Sequence, residues 1–148
     1  MANVIRPSAE VRKILREARI ARLATVDLRR RPYAVPICFV YRNGMLYSPI
    51  DRKPKSRAPE QLARVRNIRA VSRVAVLIDH YEENWGKLWF LLIHGTAKVL
   101  DESERAEHDA AFRALSLKYR QYAGGMLTKD APVIQIAPER FKLWRAGK

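Results

Sequence analysis

The segment Met45-Leu46-Tyr47-Ser48-Pro49-Ile50-Asp51-Arg52-Lys53-Pro54-Lys55-Ser56-Arg57 carries an apolar run straight into a cluster of cations ahead of a predicted helix. Those residue types in that order suit a phosphate. Ser48 offers a hydroxyl, and Arg52, Lys53, Lys55 and Arg57 offer charge-assisted donors matched to phosphate oxygens. Pro49, Pro54 and Pro59 stiffen the connection, since their fixed φ and missing N–H groups oppose a longer helix or strand. The same composition describes a solvated basic loop, so the remaining chemistry has to weigh the two readings.

Other reactive constellations are sparse. His80, His94 and His108 lie too far apart for a local metal set, and each reads as structural, His94 as a satisfied buried histidine within an apolar strand. No GxSxG, GxGxxG or P-loop pattern occurs. The single cysteine, Cys38, excludes an intramolecular disulfide and a CxxC metal site, and its apolar neighbours read as core. No metal is expected, and no residue is identified as catalytic. A phosphate-binding loop without an evident nucleophile or base suggests that the chemistry resides in a cofactor, for which redox flavins qualify.

The net charge of +14 on 148 residues is unevenly placed. Residues 1–73 hold 18 Lys+Arg against 5 Asp+Glu, whereas residues 74–148 hold 11 against 10. A basic field confined to one half draws anions, either a nucleic acid or a small phosphorylated or polycarboxylate cofactor. With 48% hydrophobic residues the chain fits one domain, 1–148, with one core. No apolar run approaches a membrane span and no secretory h-region is visible, so a cytoplasmic protein is expected.

The elements that would position the basic segment follow from pattern. Ser8 caps a helix with Val11, Ile14, Leu15 and Ala18 on one face. Ile20 to Val26 reads as a strand, and Tyr33 to Tyr41 as one strand largely buried on both faces. Asn43-Gly44 then marks a type I′ hairpin into Met45 to Ile50. Pro36 places its strand at an edge or a bulge. Glu60 to Ile68 reads as a helix with Arg64, Arg66 and Arg69 outward, Val71 to Asp79 and Lys87 to Leu100 as strands, the latter bent at Gly95. Asp101 to Tyr122 is the longest expected helix, ended by Gly124-Gly125, and strands Val133 to Ala137 and Phe141 to Trp144 close the chain. Six to seven mostly antiparallel strands with three to four helices make the fold mainly β, a barrel with flanking α.

Ile20-Ala21-Arg22-Leu23-Ala24-Thr25 with Pro32-Tyr33-Ala34-Val35-Pro36-Ile37, then Tyr47 to Lys55, then Asp79 to Trp85 through Leu88-Trp89 to Gly95-Thr96-Ala97, carry a family likeness. The sequence resembles the pyridoxamine 5′-phosphate oxidase-like split β-barrel superfamily, and within it the F420-dependent (deazaflavin) oxidoreductases. Asn84 and Leu92 depart from that subgroup's pattern, where Asp and Arg are common. The resemblance implies a homodimer, each interface site lined by strands of one chain and closed by loops of the other; beside it, no membrane partner is expected and a small-molecule substrate is expected rather than nucleic acid. Pro36 and Ile37 would lie beside the cofactor ring, Tyr47, Ser48 and Ile50 along the ring and ribityl chain, and Asp51, Arg52, Lys53 and Lys55 at the phosphate. Trp85, Lys87 and Leu88 would close the site, with Tyr81 and His94 as candidate proton donors. The implied activity is hydride transfer between coenzyme F420 and a small organic acceptor. The alternatives are an FMN-binding oxidase or reductase on the same barrel, and a non-enzymatic flavin- or haem-like ligand-binding protein.

Overall fold

The protein, a computed structural model, is described over residues 5–51 and 62–147. Helix α1 runs Ala9–Glu17, and the Ser8 hydroxyl accepts from the Val11 N–H at 3.2 Å as an N-cap should. Its apolar stripe buries Val11, Ile14 and Leu15. Seven strands follow around two further helices. They are β1 (Ala21–Val26), β2 (Pro32–Ile37), β3 (Val40–Arg42), β4 (Met45–Pro49), β5 (Arg73–His80), β6 (Trp89–Val99) and β7 (Val133–Arg145), with α2 (Ala63–Ala70) and α3 (Arg105–Lys118).

The strands form one antiparallel sheet in the order β2-β1-β5-β6-β7-β4-β3. Its two outermost strands, β2 and β3, are joined by Cys38 and Phe39 alone. Three Cα steps reach at most about 11 Å, so the two edges are held near each other and the sheet must curl on itself. The result is a mainly β half-barrel, as expected, split along the seam between β2 and β3. The span Tyr33 to Tyr41 is therefore two strands on opposite edges rather than one, and β2 is mostly exposed rather than buried. Pro36 sits on this edge strand, where its missing N–H breaks no ladder. Phe39 is fully buried at the seam. Cys38 is half-buried there, packed beneath α3 rather than in a strand.

Asn43 and Gly44 take positive φ of 52° and 80°, closing the β3–β4 hairpin. The last strand is continuous instead of two. The register between β6 and β7 slips between His94 and Gly95, where Arg140 and Pro138 are their partners, leaving Glu139 as the extra residue of a bulge. A Cβ on Gly95 would stand 2.3 Å from the Ala137 carbonyl oxygen, so only glycine lets the strands meet there. Helix α3 is shorter than expected. Asp101 and Glu104 form a capping box around a 3₁₀ turn, and Tyr119 is already extended. The barrel core gathers Leu23, Phe39, Leu46, Val76, Leu91, Ile93, Ile134 and Ile136, closed at the ends by α1 and α2. Among the described residues no helix is long and apolar enough to cross a membrane.

Candidate functional site

Strand β4 presents the residues that lead into the basic segment. Opposed residues of an antiparallel pair share a face, and Leu46 and Ser48 oppose the core residues Ile136 and Ile134. Ser48 therefore points into the barrel with Leu46 and Ile50, and its buried hydroxyl has no hydrogen-bond partner among the described residues. Tyr47 faces the other way. Its hydroxyl donates to Glu107 on α3, which also accepts from Gln135 of β7. Burial pushes the Tyr47 phenol up to about 12, and the bond to Glu107 adds to the rise.

Where β4 ends, polar groups from five parts of the chain converge. The Tyr122 hydroxyl, in the turn after α3, donates to Asp51 at 3.2 Å. Arg64, in the first turn of α2, is half-buried rather than outward, and its Nε is buried without a partner among the described residues. Burial lowers the affinity of this guanidinium for its proton, while the nearby Asp51, Tyr33 and Tyr122 oppose that loss. Burial, then Cys38, then Asp51 push the Tyr122 phenol upward and keep it neutral. A half-buried cation with a buried Nε, a carboxylate and the Tyr122 phenol make a site that can hold an anion by charge and orient it by hydrogen bonds. The histidines lie elsewhere. His80 meets Glu82, His108 meets the Ala131 carbonyl oxygen, and His94 is exposed on the outer sheet face, not buried.

The expected site residues are only partly brought together. Ser48, Ile50 and Asp51 meet the Arg64 end of the barrel, while Arg52, Lys53 and Lys55 lie outside the described residues. Pro36 is exposed and Ile37 buried at the β2 edge, two residues and one residue from Cys38 respectively. Trp85 and Lys87 form a 3₁₀ turn in which Gly86 N–H donates to the Asn84 side chain at 3.1 Å, so Asn84 serves as a cap. Trp85 is 66% exposed. This turn and Leu88 flank a cleft of about 380 Å³ with His80, Glu82 and Arg145. Ser48 aligns across β7 with Val99, and β6 carries the chain about 36 Å from Leu88 to Val99 at roughly 3.3 Å per residue. Within one chain, then, Trp85, Lys87 and Leu88 stand at the opposite end of the sheet from Ser48. Tyr81 is exposed beside them, its hydroxyl on Glu83 at 3.3 Å, far along the strands from His94.

Sequence reasoning missed Arg64, Tyr119 and Tyr122. The spacing Tyr119/Tyr122 just before Gly124-Gly125 was a signal, because two buried phenols at a helix end need polar partners.

Residues 7–145 match the family described as Pyridoxamine 5′-phosphate oxidase. No curated protein matches the sequence. Among solved structures, a conserved hypothetical protein from Mycobacterium tuberculosis superposes with a TM-score of 0.74 at 16% identity, covering 98% of this chain and 88% of its own. A FAD-binding protein from Mesorhizobium loti gives 0.67 at 24% identity, with 93% and 94% covered. HutZ, the heme storage protein from Vibrio cholerae, gives 0.72 at 17% identity, with 97% and 96% covered. At these identities the likeness shows the shared fold.

Proposed function

Because the chain belongs to the pyridoxamine 5′-phosphate oxidase family, we propose that it is an oxidoreductase that uses the deazaflavin coenzyme F420 and acts on a small organic acceptor. The observation that carries this reading is the buried Arg64 Nε beside Asp51, unpartnered among the described residues, at the point where the chain enters the segment bearing Arg52, Lys53 and Lys55. A half-buried cation with a buried, orphaned donor fits a phosphate oxygen. Once bound, such a cofactor supplies a ring carbon that gives or takes a hydride.

The chain's own residues bind, orient and exclude water. Arg52, Lys53, Lys55 and Arg64 hold the phosphate, and Asp51 with Tyr122 fixes the entrance. Ser48 and Ile50 support the ring and ribityl chain from the barrel wall, and Tyr47 anchors that wall to α3. Pro36 and Ile37 border the ring at the unpaired β2 edge. Trp85, Lys87 and Leu88 close the site from a second copy, which accounts for their distance from Ser48 within one chain. The outer sheet face suits that second copy. Phe90 stacks on Trp144 at 5.5 Å there, with Leu77 and Leu92 alongside.

The preference for F420 rests on charge. Its phosphodiester and oligoglutamate tail complement a half-chain carrying 18 cations against 5 anions. FMN is the second reading, favoured by the family match and by the FAD-binding neighbour. A non-enzymatic haem-like ligand-binding role is the third, favoured by the heme storage neighbour.

Replacing Lys53 and Lys55 together with Ala tests the phosphate site. Cofactor affinity should fall by about 2–4 kcal/mol, at roughly 1.5 for each charge-assisted contact, with the thermal midpoint unchanged. Undiminished affinity in a folded double variant would reduce the segment to solvated surface.

A further inference from the structure

A cleft of about 530 Å³ opens between α1 and α3 over β3, lined by Arg12, Leu15, Arg16, Val40, Tyr41, Ala114, Leu117 and Lys118. None of these residues is assigned to the cofactor. We propose that this cleft binds a small amphipathic carboxylate, an anion with an aliphatic body.

The floor is apolar and the rim is cationic. The fully buried Leu15 lies beneath the cleft, half-buried Val40 and Ala114 give it apolar wall, Leu117 is left 88% exposed at the lip, and no carboxylate is among its described lining residues. An exposed leucine on a helix that buries Ala111 and Leu115 presents unused apolar surface beside a hollow of ligand size. Arg12 and Arg16 project from successive turns of α1, so their planar forks can close on one head group. Arg12 spends one donor on the Pro7 carbonyl oxygen at 3.1 Å and keeps the rest.

Lys118 completes the rim. Its Nζ donates to the Phe39 carbonyl oxygen at 2.9 Å and lies 4.0 Å from the Phe39 ring centre. A carboxylate in the cleft would supply the counter-charge that neither contact provides. Around this amine stand Arg12, Arg16 and Arg19 from α1 and its end, Tyr41 from β3, Cys38 from the seam and Tyr119 from its own helix end. Burial, and then Arg19, hold the Lys118 pKa down to about 8. The field is positive below that pH and weakens above it.

Calorimetric titration with decanoate, decylamine and decanol tests the proposal, on the wild type and on the Leu117→Glu and Arg16→Glu variants. Both substituted positions are exposed, and thermal melts confirm the fold. Decanoate should bind more tightly than decanol, decylamine should not bind, and each variant should weaken decanoate by about tenfold or more. Raising the pH from about 7 to about 9 should weaken decanoate several-fold as Lys118 loses its proton. Equal binding of decanoate and decylamine, or decanoate affinity unchanged in both variants, would overturn the proposal. So would a Leu117→Glu chain that becomes monomeric where the wild type is a dimer, since the cleft would then be an interface between copies.

Discussion

The Tyr119 hydroxyl braces the backbone of Phe39 from both sides, accepting from its N–H at 3.0 Å and lying 2.9 Å from its carbonyl oxygen. The same hydroxyl reaches the Arg19 carbonyl oxygen at 3.1 Å, so its one proton is shared between two acceptors. Phe39 lies in the two-residue step between the sheet's free edges, where no ladder can satisfy the backbone. A side chain from the C-cap of α3 does what a neighbouring strand would do in a closed barrel.

Tyr119→Phe should therefore destabilise the fold by about 1–3 kcal/mol, because it strands a buried N–H and not merely one bond. Urea unfolding reads this as a lower midpoint with an unchanged slope. A variant as stable as the wild type would mean that water satisfies the seam.

Gly95→Ala should cost more than a typical helix or strand glycine substitution, at least about 1–3 kcal/mol, since the new methyl meets backbone at 2.3 Å. Thermal unfolding of the variant checks it, and a wild-type midpoint would show that the bulge can open.

Lys118 gives the stability a pH dependence of defined sign. Its folded pKa, about 8, lies below the ordinary 10.5, so the unfolded chain binds more protons between those values. Stability from this group is lowest below pH about 8 and rises as pH climbs towards about 10. Above that, Tyr47 opposes it, because a folded phenol held at about 12 stays protonated while its unfolded counterpart ionises. Comparing Lys118→Met with the wild type by urea midpoint from pH 7 to 9.5 isolates the first effect. The wild type should gain on the variant across that window, and parallel curves would contradict the assignment.

Local chemistry was legible wherever one residue dictates a backbone state. Ser8 at the first cap, Asn43-Gly44 at the hairpin, Gly95 at the bulge and Pro36 on an edge all stand where their types require. Pairing was less legible. Tyr33 to Tyr41 alternates without a break, yet its halves join opposite ends of the sheet, because side-chain alternation carries no information about which strand lies alongside. Pro138 in the last strand looks like a terminator until the register slip at Gly95 absorbs the extra residue. His94 reads as buried among apolar neighbours, but its face, with Phe90 and Leu92, is the one the single chain leaves open. Of the site, the basic segment was visible in composition. Arg64 and Tyr122 were not, since their meeting with Asp51 depends on tertiary curling.

That open face should cover itself. Phe90, Leu77, Leu92 and Trp144 present adjoining apolar surface, so the chain should sediment as a dimer at micromolar concentration. Trp144→Glu should shift it towards monomer, and a wild-type monomer at that concentration would remove the second copy from the proposed site.

The most direct test is calorimetric titration of coenzyme F420 and FMN at low and high ionic strength. Only the oligoglutamate carboxylates extend beyond the phosphate site, so F420 should bind more tightly than FMN and lose affinity more steeply as salt rises. Tighter binding of FMN at both ionic strengths would make this an FMN protein, and binding of neither would contradict the account at its centre.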